Sequence, residues 1–205
     1  MSNSYKQHWE DVFTTKAEDE LSWFQPYPKM SMEFVDLFNL PLNANIVDIG
    51  GGDSHFVDAL LDKSYKNIYV LDISANAIKR AKHRLGERAL LVHWIISDVI
   101  DFTPPVLFDF WHDRAAFHFL TSEEVINKYV SVAEEGTKKD SYLILGTFSE
   151  NGPTKCSGLE IKKYSEASMS ARFELNFDRI KCITEDHSTP FNTIQNFLFC
   201  SFRRK

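Results

Sequence analysis

Short apolar runs alternate along this chain with stretches whose apolar residues recur every three or four positions. Asn45–Ile49 is an apolar run bounded by turn residues, the pattern of a buried strand; Phe56, Ala59 and Leu60 then recur at helical spacing. Ile68–Ile73 reads as a second buried strand. Ala75–Leu85 reads as a helix with Ile78, Ala81 and Leu85 on one stripe and Gly86 as its stop. Ala89–Ile96 and Leu107–Trp111 are predicted strands three and four. Thr121–Glu124 has the form of a capping box, opening a helix to about Lys138. Ser141–Phe148 is a fifth strand, followed by a short helix near Glu166–Phe173. Two β-like runs, Phe177–Thr184 and Gln195–Phe202, are joined by the turn-rich HSTPFN. Alternating β and α elements predict a parallel sheet with helices on both faces. Ligands of such doubly wound sheets bind at the carboxyl ends of the strands, where strand order reverses.

The stretch VDIGGGDS, residues 47–54, falls at that position. Gly50, Gly51 and Gly52 form the turn from the first strand into the first helix, where a missing Cβ permits positive φ and close approach of a ligand. A dinucleotide fingerprint is the first reading. Its third glycine is replaced by His55, and Asp48 ends the strand where a pyrophosphate would come, so a nicotinamide-dependent dehydrogenase is disfavoured. A carboxylate there suits an ammonium group instead. Asp72 ends the second strand at the distance from the glycines at which an acid binds ribose hydroxyls. Asp98, after the third strand, is placed to accept from an exocyclic amine. Amine, ribose and adenine without phosphate describe S-adenosylmethionine. Turn capping by the same three acids is the competing structural reading.

VDIGGGDS, VLDIS and SDV, in this order and each after a strand, resemble the first three motifs of class I S-adenosylmethionine-dependent methyltransferases. The resemblance runs from about Asn45 to the C-terminus. It implies a Rossmann-like seven-stranded sheet, mostly parallel, with the last strand antiparallel. It also implies that Asp48 and the glycine turn face the methionine moiety, that Asp72 binds the ribose with Ile73 beside the adenine, and that Asp98 and Val99 hold the adenine. Residues 1–40 form an N-terminal helical lid segment in this reading and 41–205 the methyltransferase domain. Within the former, HWEDVF and SWFQPYPKMSMEFV resemble a subgroup containing the lysine methyltransferases of elongation factor 1A and citrate synthase. That likeness implies that Trp9, Phe13 and Trp23 pack over the cofactor. An aromatic face near a sulfonium gains a cation–π attraction; covering the sheet edge is the plainer alternative.

The fourth strand runs into FDFWHDRAAFHFL, and residues after this strand border the transferred methyl group in the family. His112 is thus a candidate general base, with a pKa naturally near neutrality. Asp113 and Arg114 match an acidic–basic pair of the lysine enzymes in type, although AAFHFL departs from their pattern. His118 lies in an apolar stretch and reads as a core histidine. Residues 151–165 read as a loop near the substrate, with Cys156 either contacting it or simply buried; His187 reads as a surface turn residue.

Composition narrows the picture. With 205 residues, 43% of them hydrophobic, the chain fits one domain. No window is apolar enough to span a bilayer, and the first residues lack the core of a signal peptide. Three widely spaced cysteines predict neither a disulfide framework nor a zinc site, and point to a reducing cytoplasm. A net charge of −6 argues against nucleic acid as partner, and Arg203-Arg204-Lys205 reads as a solvated tail. No metal site is indicated. The expected activity is methyl transfer by in-line displacement, to an O, N or S nucleophile of a small molecule or to a protein lysine; a non-catalytic cofactor-binding module is a remote third reading.

Overall fold

The computed structural model describes residues 3–205. Two helices, α1 (Asn3–Thr15) and α2 (Lys29–Phe38), precede the first strand. There follow β1 (Asn45–Ile49), α3 (Phe56–Asp62), β2 (Asn67–Asp72), α4 (Ala75–Leu85), β3 (Val92–Ile96), β4 (Phe108–Arg114), α5 (Glu123–Gly136) and β5 (Thr137–Phe148). A two-residue pair, β6 (Lys155–Cys156) and β7 (Leu159–Glu160), leads to α6 (Glu166–Phe173), β8 (Phe177–Ser188) and β9 (Ile194–Arg204).

The seven-stranded sheet has the order β3-β2-β1-β4-β5-β9-β8. Pairs from β3 through β5 are parallel, and β9 runs antiparallel to both its neighbours. The order reverses between β1 and β4, the switch point at which such sheets hold ligands. Strand alternation divides the core. Ile46, Phe110, Ile144 and Phe199 pack with residues of α1, α2 and α3 on one face. Val47, Ile49, Trp111 and Leu143 pack with residues of α5 and α6 on the other.

The N-terminal segment is docked on α4 by reciprocal capping. Glu10 accepts from the Ser74 hydroxyl at 2.9 Å and from the amides of Ala75 at 2.8 Å and Asn76 at 3.0 Å, supplying partners to the first turn of α4. In return Arg80 of α4 donates to the carbonyls of Phe13 at 3.3 Å and Lys16 at 2.7 Å at the end of α1.

Several expectations are corrected. β4 continues to Arg114 rather than stopping at Trp111. Cys182 and Cys200, expected to be free, are bonded as a disulfide, because the β8–β9 register sets them directly opposite each other with their Cα atoms 4.1 Å apart. One ground for a reducing compartment is thereby removed; among the described residues no helix is long and apolar enough to cross a membrane. The closing basic residues are engaged: Arg204 pairs with Glu134 at 2.9 Å and Arg203 with Asp140 at 2.9 Å.

Candidate functional site

A cleft opens at the carboxyl ends of β1, β2 and β4. Gly50 and Gly52 turn the chain out of β1 with φ of 65° and 47°. A Cβ on Gly50 would stand 2.6 Å from the Ala116 Cβ, and one on Gly51 would stand 2.6 Å from Asp48 Oδ2. The turn is thus held to glycine by both conformation and space.

Under this turn Asp48 is buried, and its Oδ1 accepts from His112 Nδ1 at 2.7 Å. His112 Nε2 meets the Ser31 hydroxyl of α2 at 2.8 Å. A carboxylate only accepts, so Nδ1 is the donor in the contact with Asp48. The register pairs Asp48 with His112 across β1 and β4, which is why these two side chains meet. Asp48 Oδ2 is buried without a hydrogen-bond partner among the described residues. A buried carboxylate oxygen left in this way is costly unless a donor arrives with a ligand.

Beyond the turn the wall is formed by Leu71, Asp72, Ile73, Ser97, Asp98 and Val99. Asp72 Oδ1 accepts from the Ser74 amide at 2.8 Å, and Asp98 Oδ1 accepts from Ile100 at 3.2 Å at the head of a short 3-10 turn. Both acids therefore do the capping work considered above as well as lining the cleft. Burial, aided by Asp53, Asp48 and Glu10, raises the Asp72 carboxyl to about 7.

Aromatic residues roof the cleft. Trp9 lies edge-on to Trp23 at 5.9 Å between ring centres, with Phe13 beside both and Tyr5 on the same side. Trp23 is fixed from below, where Arg114 Nη1 donates to its carbonyl at 2.9 Å. His187, expected at the surface, is buried: its Nε2 donates to the Ser22 carbonyl at 2.8 Å and its Nδ1 faces the Gln25 amide at 3.4 Å.

These features fit an amine-bearing nucleoside: an unpartnered carboxylate oxygen, a turn that tolerates no side chain, acids at strand ends and an aromatic cover. Residues 46–136 match the family described as a methyltransferase domain. That match runs from β1 to the end of α5. The order of the seven-stranded sheet is that of the class I methyltransferase fold. A comparison with curated protein sequences returns no significant match. Among solved structures the fold is similar to N-methyltransferase NodS from Bradyrhizobium japonicum in complex with S-adenosylhomocysteine, at TM-score 0.73, 17% identity and 99% coverage of each chain. It is also similar to 1,6-didemethyltoxoflavin-N1-methyltransferase from Burkholderia thailandensis, with its acceptor and S-adenosylhomocysteine bound, at 0.69 and 15%, covering 98% of this chain and 84% of that one. A TehB-like S-adenosylmethionine-dependent methyltransferase from Corynebacterium glutamicum matches at 0.65 and 13%, over 98% and 97%. None of these three adds support for the lysine-methyltransferase subgroup.

The residues expected at the cofactor, Trp9, Trp23, Asp48, Gly50, Gly51, Gly52, Asp72, Ile73, Asp98, Val99 and His112, all line the cleft. Asp113 does not. One residue further along β4, it points to the opposite face, where it accepts from the amides of Ala116 and Phe117 at 3.0 Å each and from the Tyr129 hydroxyl at 2.7 Å. Burial raises its carboxyl to about 6, and its hydrogen-bond partners are Ala116, Phe117 and Tyr129 rather than Arg114. His112 does reach the cleft, but both its ring nitrogens are engaged, and it holds Asp48 rather than standing free as a base. His118 is a core residue as expected: it accepts from the Phe148 amide at 3.3 Å, and burial lowers it to about 3. Cys156 lines the cleft, with its thiol pushed up to about 12 by burial. Tyr5, Ser31 and Glu10 were not found from the sequence, since no motif marks them. Among the described residues no group of His, Cys, Asp or Glu could hold a metal ion.

Proposed function

We propose that this protein methylates an O, N or S nucleophile of a small molecule, and that residues 1–40 act as the lid over the reacting groups. The observation that carries the reading is enclosure. Tyr5, Trp9, Phe13 and Trp23 line the same cleft as Gly50, Asp72 and Asp98, so the N-terminal segment covers it. A compact acceptor fits such a space better than a folded protein surface. The didemethyltoxoflavin enzyme, similar in fold, has such an acceptor in its site. The protein-lysine alternative rests on the N-terminal motif alone.

S-adenosylmethionine supplies an activated methyl group on a sulfonium, open to in-line displacement. The residues bind and orient. Asp48 Oδ2 would accept from the ammonium, Asp72 from the ribose hydroxyls and Asp98 from the adenine amine, with Ile73 and Val99 against the ring. Trp9 and Trp23 would cover the reacting end and exclude water. Holding both reactants in alignment accounts for most of the protein's contribution.

The test is a calorimetric titration with S-adenosylmethionine and S-adenosylhomocysteine, with NAD as control, repeated on Asp72→Ala. Binding of the adenosyl ligands alone, lost in the variant, supports the reading; binding of NAD or of nothing rejects it. Incubation with pooled small nucleophiles and, separately, with lysine-containing peptides then separates the two acceptor classes by release of S-adenosylhomocysteine.

A further inference from the structure

Arg114 is the last residue of β4 and borders the cleft on both sides of the Gly50 turn. Its guanidinium carries five donors in a fixed fork. One, on Nη1, goes to the Trp23 carbonyl at 2.9 Å. Nε and Nη2 are both inaccessible to solvent and have no hydrogen-bond partner among the described residues. One flank is covered by the Phe197 ring, with the guanidinium carbon 5.0 Å from its centre. Glu185 is a nearby carboxylate whose attraction is felt, but it makes no hydrogen bond to Arg114, and its own Oε2 is equally buried and unpartnered among the described residues. Cys156, the other polar neighbour on this side, offers a thiol with its proton held on by burial.

The Nε–Nη2 edge of a guanidinium is the edge that takes a carboxylate in the bidentate fork. Leaving a charged donor pair buried and unmatched costs more than almost any other polar defect in a fold. We infer that this edge of Arg114 is a carboxylate-binding site of the cleft, filled when ligand enters. The inference rests on the proposed function for the identity of the ligands. Two sources carry the required chemistry: the aminoacyl carboxylate of the adenosyl ligand, whose ammonium would lie at Asp48, or a carboxylate on the acceptor. An ammonium acceptor, such as a protein lysine, would meet like charge here in the second case.

The experiment compares matched ligands on the full chain. S-adenosylhomocysteine and its decarboxylated analogue differ only in the carboxylate. If the cofactor is the source, the wild type binds the former about 10- to 100-fold more tightly, the worth of charge-assisted hydrogen bonds, and Arg114→Gln removes the difference while Arg114→Lys keeps part of it. If the acceptor is the source, the two analogues bind alike. Protein saturated with S-adenosylhomocysteine then binds benzoate but not benzamide, and Arg114→Gln abolishes the benzoate heat. The wild-type comparisons decide the matter even if the glutamine variant does not fold. Equal binding of both analogues together with no benzoate binding overturns the assignment. Failure of both analogues to bind would instead reject the proposed function.

Discussion

His112 ties Asp48, at the end of β1, to Ser31 of α2 through two hydrogen bonds of 2.7 and 2.8 Å, one from each ring nitrogen. The imidazole is a strut that holds Asp48 under the glycine turn, where its second oxygen is left without a partner among the described residues. Replacing it with phenylalanine keeps the ring packed on Phe56, whose centre lies 4.1 Å away, and removes both bonds. His112→Phe should weaken S-adenosylhomocysteine binding by about 10-fold or more in calorimetry. With an acceptor in hand, the pH dependence of kcat should keep its shape. Loss of one limb of that profile, with affinity intact, would make His112 a base after all.

Asp72 makes affinity depend on pH. Its carboxyl lies at about 7 in the free protein against an ordinary 3.8. Ribose hydroxyls donate better to the ionised form, so binding should strengthen from pH 6 to pH 8 and should release protons at pH 6. The release is read from the change of binding heat with the ionisation enthalpy of the buffer, and Asp72→Asn should abolish it. The same raised pKa has a second consequence for the free protein. The folded state holds this proton more tightly than the unfolded state, so this group's contribution to stability falls as pH rises from about 4 to about 7.

Gly51 tests the turn. An alanine methyl would stand 2.6 Å from Asp48 Oδ2 and 2.9 Å from Val70 Cγ1. Gly51→Ala should push the carboxylate aside, at a cost of roughly 1–3 kcal/mol. Adenosyl-ligand affinity should fall by about 10- to 100-fold with a smaller change in Tm. Gly86→Ala, with open space around the Cβ but a φ of 57°, should cost stability through backbone strain and leave adenosyl-ligand affinity unchanged.

The Cys182–Cys200 link closes a stretch of 18 residues at the β8 edge. Reduction, or Cys182→Ser, should lower stability by about 3 kcal/mol and Tm by roughly 5–12 °C, without altering cofactor affinity, since the link lies outside the cleft. Free-thiol titration under denaturing conditions checks that the bond is present in the isolated protein.

Glu10 holds α1 on α4; desolvation pulls its carboxyl up, but the hydrogen bonds from Asn76, Ala75 and Ser74 together bring it below the usual value. Glu10→Ala should loosen the cover: faster proteolysis within residues 3–25, and faster dissociation of S-adenosylhomocysteine than in the wild type. Unchanged proteolysis would place the anchoring of α1 elsewhere.

The β1–α3–β2–α4 half of the domain was legible because each signal there is local: buried runs, a glycine turn and acids at strand ends. The Asp113 role was misread because β4 was ended at Trp111. Carried three residues further, strand alternation alone puts His112 and Arg114 on the cleft side and Asp113 on the other. Cys182 and Cys200 meet because of a register that includes an irregularity between Arg179 and Lys181 in β8, which no local pattern shows. His187 is buried only because the segment at Ser22–Gln25 comes to lie over it, a contact between residues 165 positions apart. Ser31 and Glu10 belong to the same kind, polar residues whose partners are distant in the chain.

The placement of β9 between β5 and β8 sets an order for construction during synthesis. While the ribosome is still adding residues beyond Ser188, β8 has no strand to pair with, and β5 exposes the edge that will receive β9. The cleft half can assemble first, but the sheet closes only when the final eleven-residue strand slides into the gap. Until then β5 and β8 each carry an open edge that β9 covers at once.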